Sequence, residues 1–142
     1  ANATQNNLIL LDLNQSTPAI TARVGTTQPT GVVFDPVSGF FLVVSSLANN
    51  LVVLNPDTQQ ATSLRVGINP TSLAFNFRSS TLLTVNTASN TISVMDLQTQ
   101  RVRAILGLTG SPQFAVDIHP RTNLAVIADQ MNNRVLLVPL PR

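Results

Sequence analysis

The chain has 142 residues, 44% of them apolar, a formal net charge of +2 and no cysteine, which leaves room for one domain's core and excludes disulfides, thiolate catalysis and Cys-ligated metals. All eight cations are Arg and all six anions Asp, with no Lys, Glu, Trp or Tyr, so the usual Glu/Lys helix pairs and any Lys Schiff base are ruled out. No apolar run approaches the roughly 18 to 20 residues of a membrane-spanning helix, and no charged segment followed by an apolar one opens the sequence.

The first element read along the chain is a polar turn, Gln5 to Asn7, followed by an apolar run, Leu8 to Leu13. The turn recurs: Asn7, Asn50, Asn90 and Asn133 each precede an apolar run at intervals of 43, 40 and 43 residues. Pro29, Pro70 and Pro112 keep step at 41 and 42, as do Gly25, Gly67 and Gly110 at 42 and 43. A period of about 40 to 45 residues points to a propeller, whose unit is a four-stranded blade.

Lettered A to D within each repeat, the runs follow in order. Residues 1–28 form a partial blade with C at Leu8–Leu13 and D at Ala19–Val24. Residues 29–69 form a blade with A at Gly31–Phe34, B at Phe40–Ser45, C at Leu51–Leu54 and D at Ala61–Val66. Residues 70–111 form the next, with A at Ser72–Phe75, B at Thr81–Asn86, C at Thr91–Asp96 and D at Arg101–Leu106. Residues 112–142 form an incomplete blade with A at Phe114–Ile118, B at Asn123–Ala128 and C at Arg134–Val138. Runs of four to six residues rich in Val, Ile, Leu, Phe and Thr between turn residues predict strands, with no helix anywhere. Asn tolerates the left-handed backbone that a tight reversal needs, and Pro at the start of strand A forgoes no ladder bond. B and C are apolar on both sides (FFLVV, LVVL, LAVIA, VLLV), as expected for a sheet covered on both faces by neighbouring blades.

Three segments carry a family likeness. Asp129-Gln130-Met131-Asn132-Asn133-Arg134-Val135 resembles the D-x-x-N-N-R-V core of NHL repeats, and Val85 to Asp96 resembles the V-x-N-x-x-x-N-T-I-S-V-I-D blade of the YVTN family. Pro29 to Pro36 is similar to the P-x-G-V-A-x-D-P opening of both. Asn76-Phe77-Arg78 departs from the Asp-Pro of that motif. The resemblance implies an all-β propeller of four-stranded antiparallel blades, here a partial one of about three blades with a 40–43-residue repeat. Closed propellers have about four to eight blades. Two apolar end faces are therefore expected to meet partners: the remaining blades of a longer chain, or further copies of this chain closing a homo-oligomeric ring.

Propeller ligands meet the loops at one end of the channel, here the D to A and B to C connections. The candidate ligand-facing residues are Gln28, Asn49, Asn50, Asn69, Ser89, Asn90, Asp129, Asn132 and Asn133. Amides and hydroxyls suit hydrogen bonding to a protein or carbohydrate ligand and suit acid/base work badly. His119 is the lone histidine, placed in the A to B turn at the opposite end. Zinc wants three or four N or S ligands. No catalytic, cofactor-binding or metal residues are therefore assigned, no cofactor is expected, and the chain reads as a non-enzyme, a binding or scaffolding module. The alternative is a segment of a lactonase-like or cofactor-dependent propeller enzyme with its catalytic residues outside this chain. NHL-type RNA binding is weaker: the arginines are spread, Arg23 and Arg65 at like positions of their D strands, and the only aromatics are six Phe in apolar runs. The Lys-free, amide-rich surface points to a secreted, periplasmic or cell-surface setting.

Overall fold

One left-handed residue stands at nearly every chain reversal, and these residues set where each strand ends. The computed structural model describes residues 1–14, 16–17, 19–109 and 115–141. Positive φ falls on Asn6, Asn49, Asn90 and Asn133 at the B to C corners and on Gln28 and Asn69 at the D to A links. It falls on Gly39, Ser80 and Asn123 at the A to B turns, and on Gln59 and Gln100 at the C to D turns. Asn supplies most of these positions because its short polar side chain lowers the cost of that backbone region. The left-handed corner residues of the first two repeats are thus Asn6 and Asn49. Asn7 and Asn50 instead begin the strands that follow.

Thirteen strands result among the described residues, in four antiparallel sheets. The first sheet pairs β1 (Asn7–Asp12) with β2 (Ala19–Gly25). The second is β3 (Pro29–Asp35), β4 (Phe40–Ser45), β5 (Asn50–Leu54) and β6 (Ala61–Arg65). The third is β7 (Pro70–Asn76), β8 (Thr81–Asn86), β9 (Thr91–Asp96) and β10 (Arg101–Gly107). The fourth is β11 (Val116–His119), β12 (Leu124–Asp129) and β13 (Arg134–Pro139). Each is a meander in chain order, which is the propeller blade, and the all-β expectation holds. The one helical element among the described residues is a single 3-10 turn, Gln130–Asn132, closed by left-handed Asn133.

Two details differ from expectation. His119 is the last residue of β11, paired with Leu124, because that strand runs one residue further than its apolar run. Arg23 pairs with Ile9 whereas Arg65 pairs with Asn50, so the two arginines are not equivalent; the link after β6 is longer by one residue than the link after β2. The predicted start of the last A strand at Phe114, with Gly110, Ser111 and Pro112, lies outside the described residues.

β3 packs beside β7 and β7 beside β11, so the A strands are the inner ones. Gly31 is needed there, since a Cβ would come within 2.5 Å of the Leu73 side chain. The first three blades each pack a forward face on the back face of the blade after them. Leu42, Val44, Leu51 and Val53 of the second sheet meet Leu82 and Met95 of the third. Leu83, Val85, Ile92 and Val94 of the third meet Ala125 and Ile127 of the fourth. Leu8 and Leu10 of the first meet Phe41, Val43, Val52 and Leu54 of the second. The same register positions do the same work in each repeat, which is why B and C read as apolar on both sides.

Candidate functional site

The loop end is where the B to C corners and D to A links meet, and several of its amides bond to neighbouring backbone and hydroxyls. Asn6 Oδ1 accepts from the Gln28 amide at 2.8 Å, and one blade on Asn49 Oδ1 accepts from the Asn69 amide at 2.7 Å. Each corner thereby caps the link that leads to the next blade. The Gln28 side-chain and backbone oxygens accept from the Ser46 hydroxyl at 2.8 and 3.2 Å. Asn69 donates to Thr87 Oγ1 at 2.9 Å, and its carbonyl accepts from the Thr87 amide at 3.0 Å. Ser89 Oγ accepts from the Ile68 amide at 3.1 Å and lies 2.8 Å from Thr91 Oγ1. The carbonyl of Asn90 accepts from the Leu108 amide at 2.8 Å. Asn50 opens β5 and its Oδ1 is buried without a hydrogen-bond partner among the described residues.

Asp129, at the fourth corner, is fully buried. Its carboxylate accepts from Asn132 Nδ2 at 3.0 and 2.9 Å and from Arg134 Nε at 2.8 Å. The Arg134 guanidinium bond holds the Asp129 carboxyl below the usual carboxylate range, outweighing the burial that would raise it, with Asn132 adding to the effect. Arg134 also donates to the carbonyl of Thr109, tying the third blade's exit to the fourth blade's corner. Asp129, Asn132, Asn133 and Arg134 thus form an ion-paired corner in which the carboxylate stays charged, a poor general acid. His119 sits at the other end of its blade, with Nδ1 3.0 Å from Thr122 Oγ1.

Between the second and third blades a buried polar cluster supports the loop end from below. Asn86 Nδ2 donates to Ser93 Oγ at 2.9 Å and Thr91 Oγ1 at 3.1 Å, and its Oδ1 accepts from Thr84 at 3.2 Å. The Gly67 amide donates to Ser93 Oγ at 3.1 Å. A side chain at 67 would collide with Asn86 and Thr91.

The exposed tips of these loops include large apolar side chains. Leu47 and Met131 occupy the same corner position in two blades and Ile68 the neighbouring link, and all three are largely exposed. Solvent thus meets these apolar side chains beside the exposed Asn90, Asn132 and Asn133, while the side-chain oxygens of Asn6 and Asn49 are engaged in capping backbone. The one signal available in the sequence was an apolar residue inside an otherwise polar corner.

No family model matches the chain and no curated protein sequence matches it. The fold does match solved β-propeller structures. Dihydro-heme d1 dehydrogenase NirN in complex with DHE superposes with a TM-score of 0.79 at 16% identity, over 99% of this chain and 31% of that one. Virginiamycin B lyase from Staphylococcus aureus gives 0.74 at 8% identity, over 99% and 50%. Hydrazine synthase from Kuenenia stuttgartiensis gives 0.64 at 17% identity, over 76% and 34%. The chain spans a third to a half of the length of these structures. At such identities the likeness is one of fold, and the propeller architecture is established while YVTN or NHL kinship is not. All three are named as enzymes, which corrects the expectation of a non-enzyme. That expectation rested on the mild chemistry of the loop residues, and the same blade architecture houses a dehydrogenase, a lyase and a synthase.

Proposed function

We propose that this chain is an arc of a larger β-propeller ring of the enzyme or cofactor-holding kind, in which other blades supply the reacting groups. On this reading YVTN/NHL-type repeats provide the wall and the rigid loop scaffold. The carrying observation is the forward face of the fourth blade. Val126, Val135 and Leu137 are 38%, 61% and 62% exposed, whereas their counterparts Leu83, Ile92 and Val94 in the third blade are 0% exposed. A contiguous apolar face of this kind is rarely left to water. Its repeat equivalent is covered by the next blade, so a further blade is the occupant that fits, from a longer chain or from another copy. The loop end fits a protein or other apolar-surfaced ligand, since Leu47, Ile68 and Met131 are presented there while the Asn6 and Asn49 oxygens are engaged in capping backbone. An extracytoplasmic setting is proposed from composition; no helix among the described residues is long and apolar enough to cross a membrane.

The test is the solution mass of the 142-residue chain, with binding of an apolar dye beside it. Self-assembly, or a monomer that binds dye and loses it when further blades are supplied, is expected. A cooperative monomer with no dye binding would overturn the proposal.

A further inference from the structure

At the end of the blades opposite the loop face, the crevice between the third and fourth blades is a cavity of about 470 Å³ lined by three arginines, Arg78, Arg103 and Arg121. We propose that it is an oxyanion site, taking phosphate or the phosphate group of a small phosphomonoester. Three of the chain's eight cations gather here, although its formal net charge is only +2.

The walls are held in place by buried amides. Asn76 Nδ2 donates to Asn123 Oδ1 at 3.0 Å and to the carbonyl of Pro120 at 3.3 Å, locking the A to B turn of one blade to that of the next. Those two turns carry Arg78 and Arg121. The third cation enters from β10: Arg103 is fixed through Nε and Nη2 on a single oxygen of Asp96. Its remaining N–H groups are free of that bond, since a guanidinium carries five. Burial would raise the Asp96 carboxyl, but Arg103 and the backbone amides of Thr99 and Gln98 hold it below its ordinary range, so this pair stays ionised. Arg78 lies with its guanidinium 5.9 Å from the Phe77 ring centroid, which restricts its swing. Neither Arg78 nor Arg121 has an ion-pair partner among the described residues. The Ser79 and Thr81 hydroxyls complete the lining. Their protons are donated within the wall, to Asn123 Oδ1 and the Ser79 carbonyl, so the guanidinium forks gathered at the crevice are the groups that would recognise phosphate oxygens bidentately.

The repeat supplies an internal control. The same crevice one blade earlier is only about 120 Å³, with Asp35 and Val37 where the later blades carry Asn76 with Arg78 and His119 with Arg121. No cation lines it. The basic crevice is therefore particular to one blade junction and not a general property of the repeat.

The experiment titrates the full chain with inorganic phosphate at constant ionic strength, chloride making up the balance, and follows backbone amide shifts. Saturable shifts confined to residues around Asn76, Ser79 and Asn123 are expected. Arg78→Ala with Arg121→Ala should weaken phosphate binding about tenfold or more, as loss of charged hydrogen bonds does. Arg65→Ala, an exposed cation elsewhere, should leave it unchanged. Both sites are exposed, and an unaltered far-ultraviolet spectrum establishes that the double variant folds. Glycerol 3-phosphate in place of phosphate separates the two sources: tighter binding assigns an ester, equal binding the free ion. A non-saturating response, an equal response in the double variant, or stronger binding of acetate than phosphate would overturn the proposal.

Discussion

One register position recurs at Leu51, Ile92 and Val135, each the second residue of its C strand, and truncating it in turn reads whether a blade lies in front. Leu51 and Ile92 are 0% exposed and packed in filled interblade cores. Leu51→Ala and Ile92→Ala lose transfer free energy and leave a cavity, so each should cost about 2 to 5 kcal/mol. Val135 is 61% exposed. Its two methyl groups at about 0.8 kcal/mol each, scaled by the buried two fifths, come to about 0.6 kcal/mol for Val135→Ala in a single chain. When a further blade or copy covers that face, the scaling disappears, a cavity is added and the cost rises to about 2 kcal/mol. Urea unfolding read alongside solution mass, at low and high protein concentration, separates the cases. Val135→Ala as costly as Leu51→Ala in a solution of single chains would refute the reasoning, because the fourth blade's forward face would then be covered already.

Three further outcomes are expected. Gly67→Ala should lower stability by about 1 to 3 kcal/mol in thermal or urea melts, since its Cβ would lie 2.5 to 2.7 Å from Asn86 and Thr91. Gly25→Ala, which meets nothing within 4 Å, should be within about 0.5 kcal/mol of the parent; equal costs would contradict the close packing of the link on the third blade. Asn90 is exposed at φ 51°, so Asn90→Val should cost about 1 to 2 kcal/mol while Asn90→Gly stays close to neutral. Reversal of that order in denaturant midpoints would remove the left-handed corner as the reason for Asn. Finally, Asp129 has a depressed carboxyl in the folded state, owing first to Arg134. A depressed folded value gives stability that is complete above the unfolded pKa of about 3.9 and is lost as pH falls toward the folded one. The stability gap between the parent and Arg134→Ala should therefore be constant above about pH 5 and narrow on acidification below about pH 4. A gap that widens there would exclude the ion pair.

The fold was legible because two independent periodicities agree. Apolar runs such as FFLVV and LVVL have no alternation to spend on solvent, and the 40-odd-residue return of Pro and Asn fixes how many strands separate them. The corner register was less legible: in Asn6-Asn7 and Asn49-Asn50 either residue can adopt the left-handed backbone. Which one does depends on the strand pairing that follows, a tertiary fact. The basic crevice was hidden for a related reason. Arg78, Arg103 and Arg121 lie far apart along the chain, in two turns and an outer strand, and sequence distance conceals that adjoining A to B turns of neighbouring blades share a wall. The ion pair of Asp129 with Arg134 lay within a single corner, five residues apart, and was visible as part of a motif before its geometry was known.

What the loop end can hold follows from how its corners are built. An Asn in the left-handed region has already committed its backbone, and at Asn6 and Asn49 the side-chain oxygen is committed as well, to the link one blade on. A ligand that sought those oxygens would have to break the bond that joins successive blades, at the cost of leaving a backbone N–H unpaired, about 1 to 3 kcal/mol each. Recognition that leaves the scaffold intact must use groups not engaged in it, and at these loops those include the exposed side chains of Leu47, Ile68 and Met131 beside that of Asn90. At Asn6 and Asn49 the property that places Asn at the corner, a short side chain that returns to nearby backbone, is thus also what ties its oxygen into the scaffold.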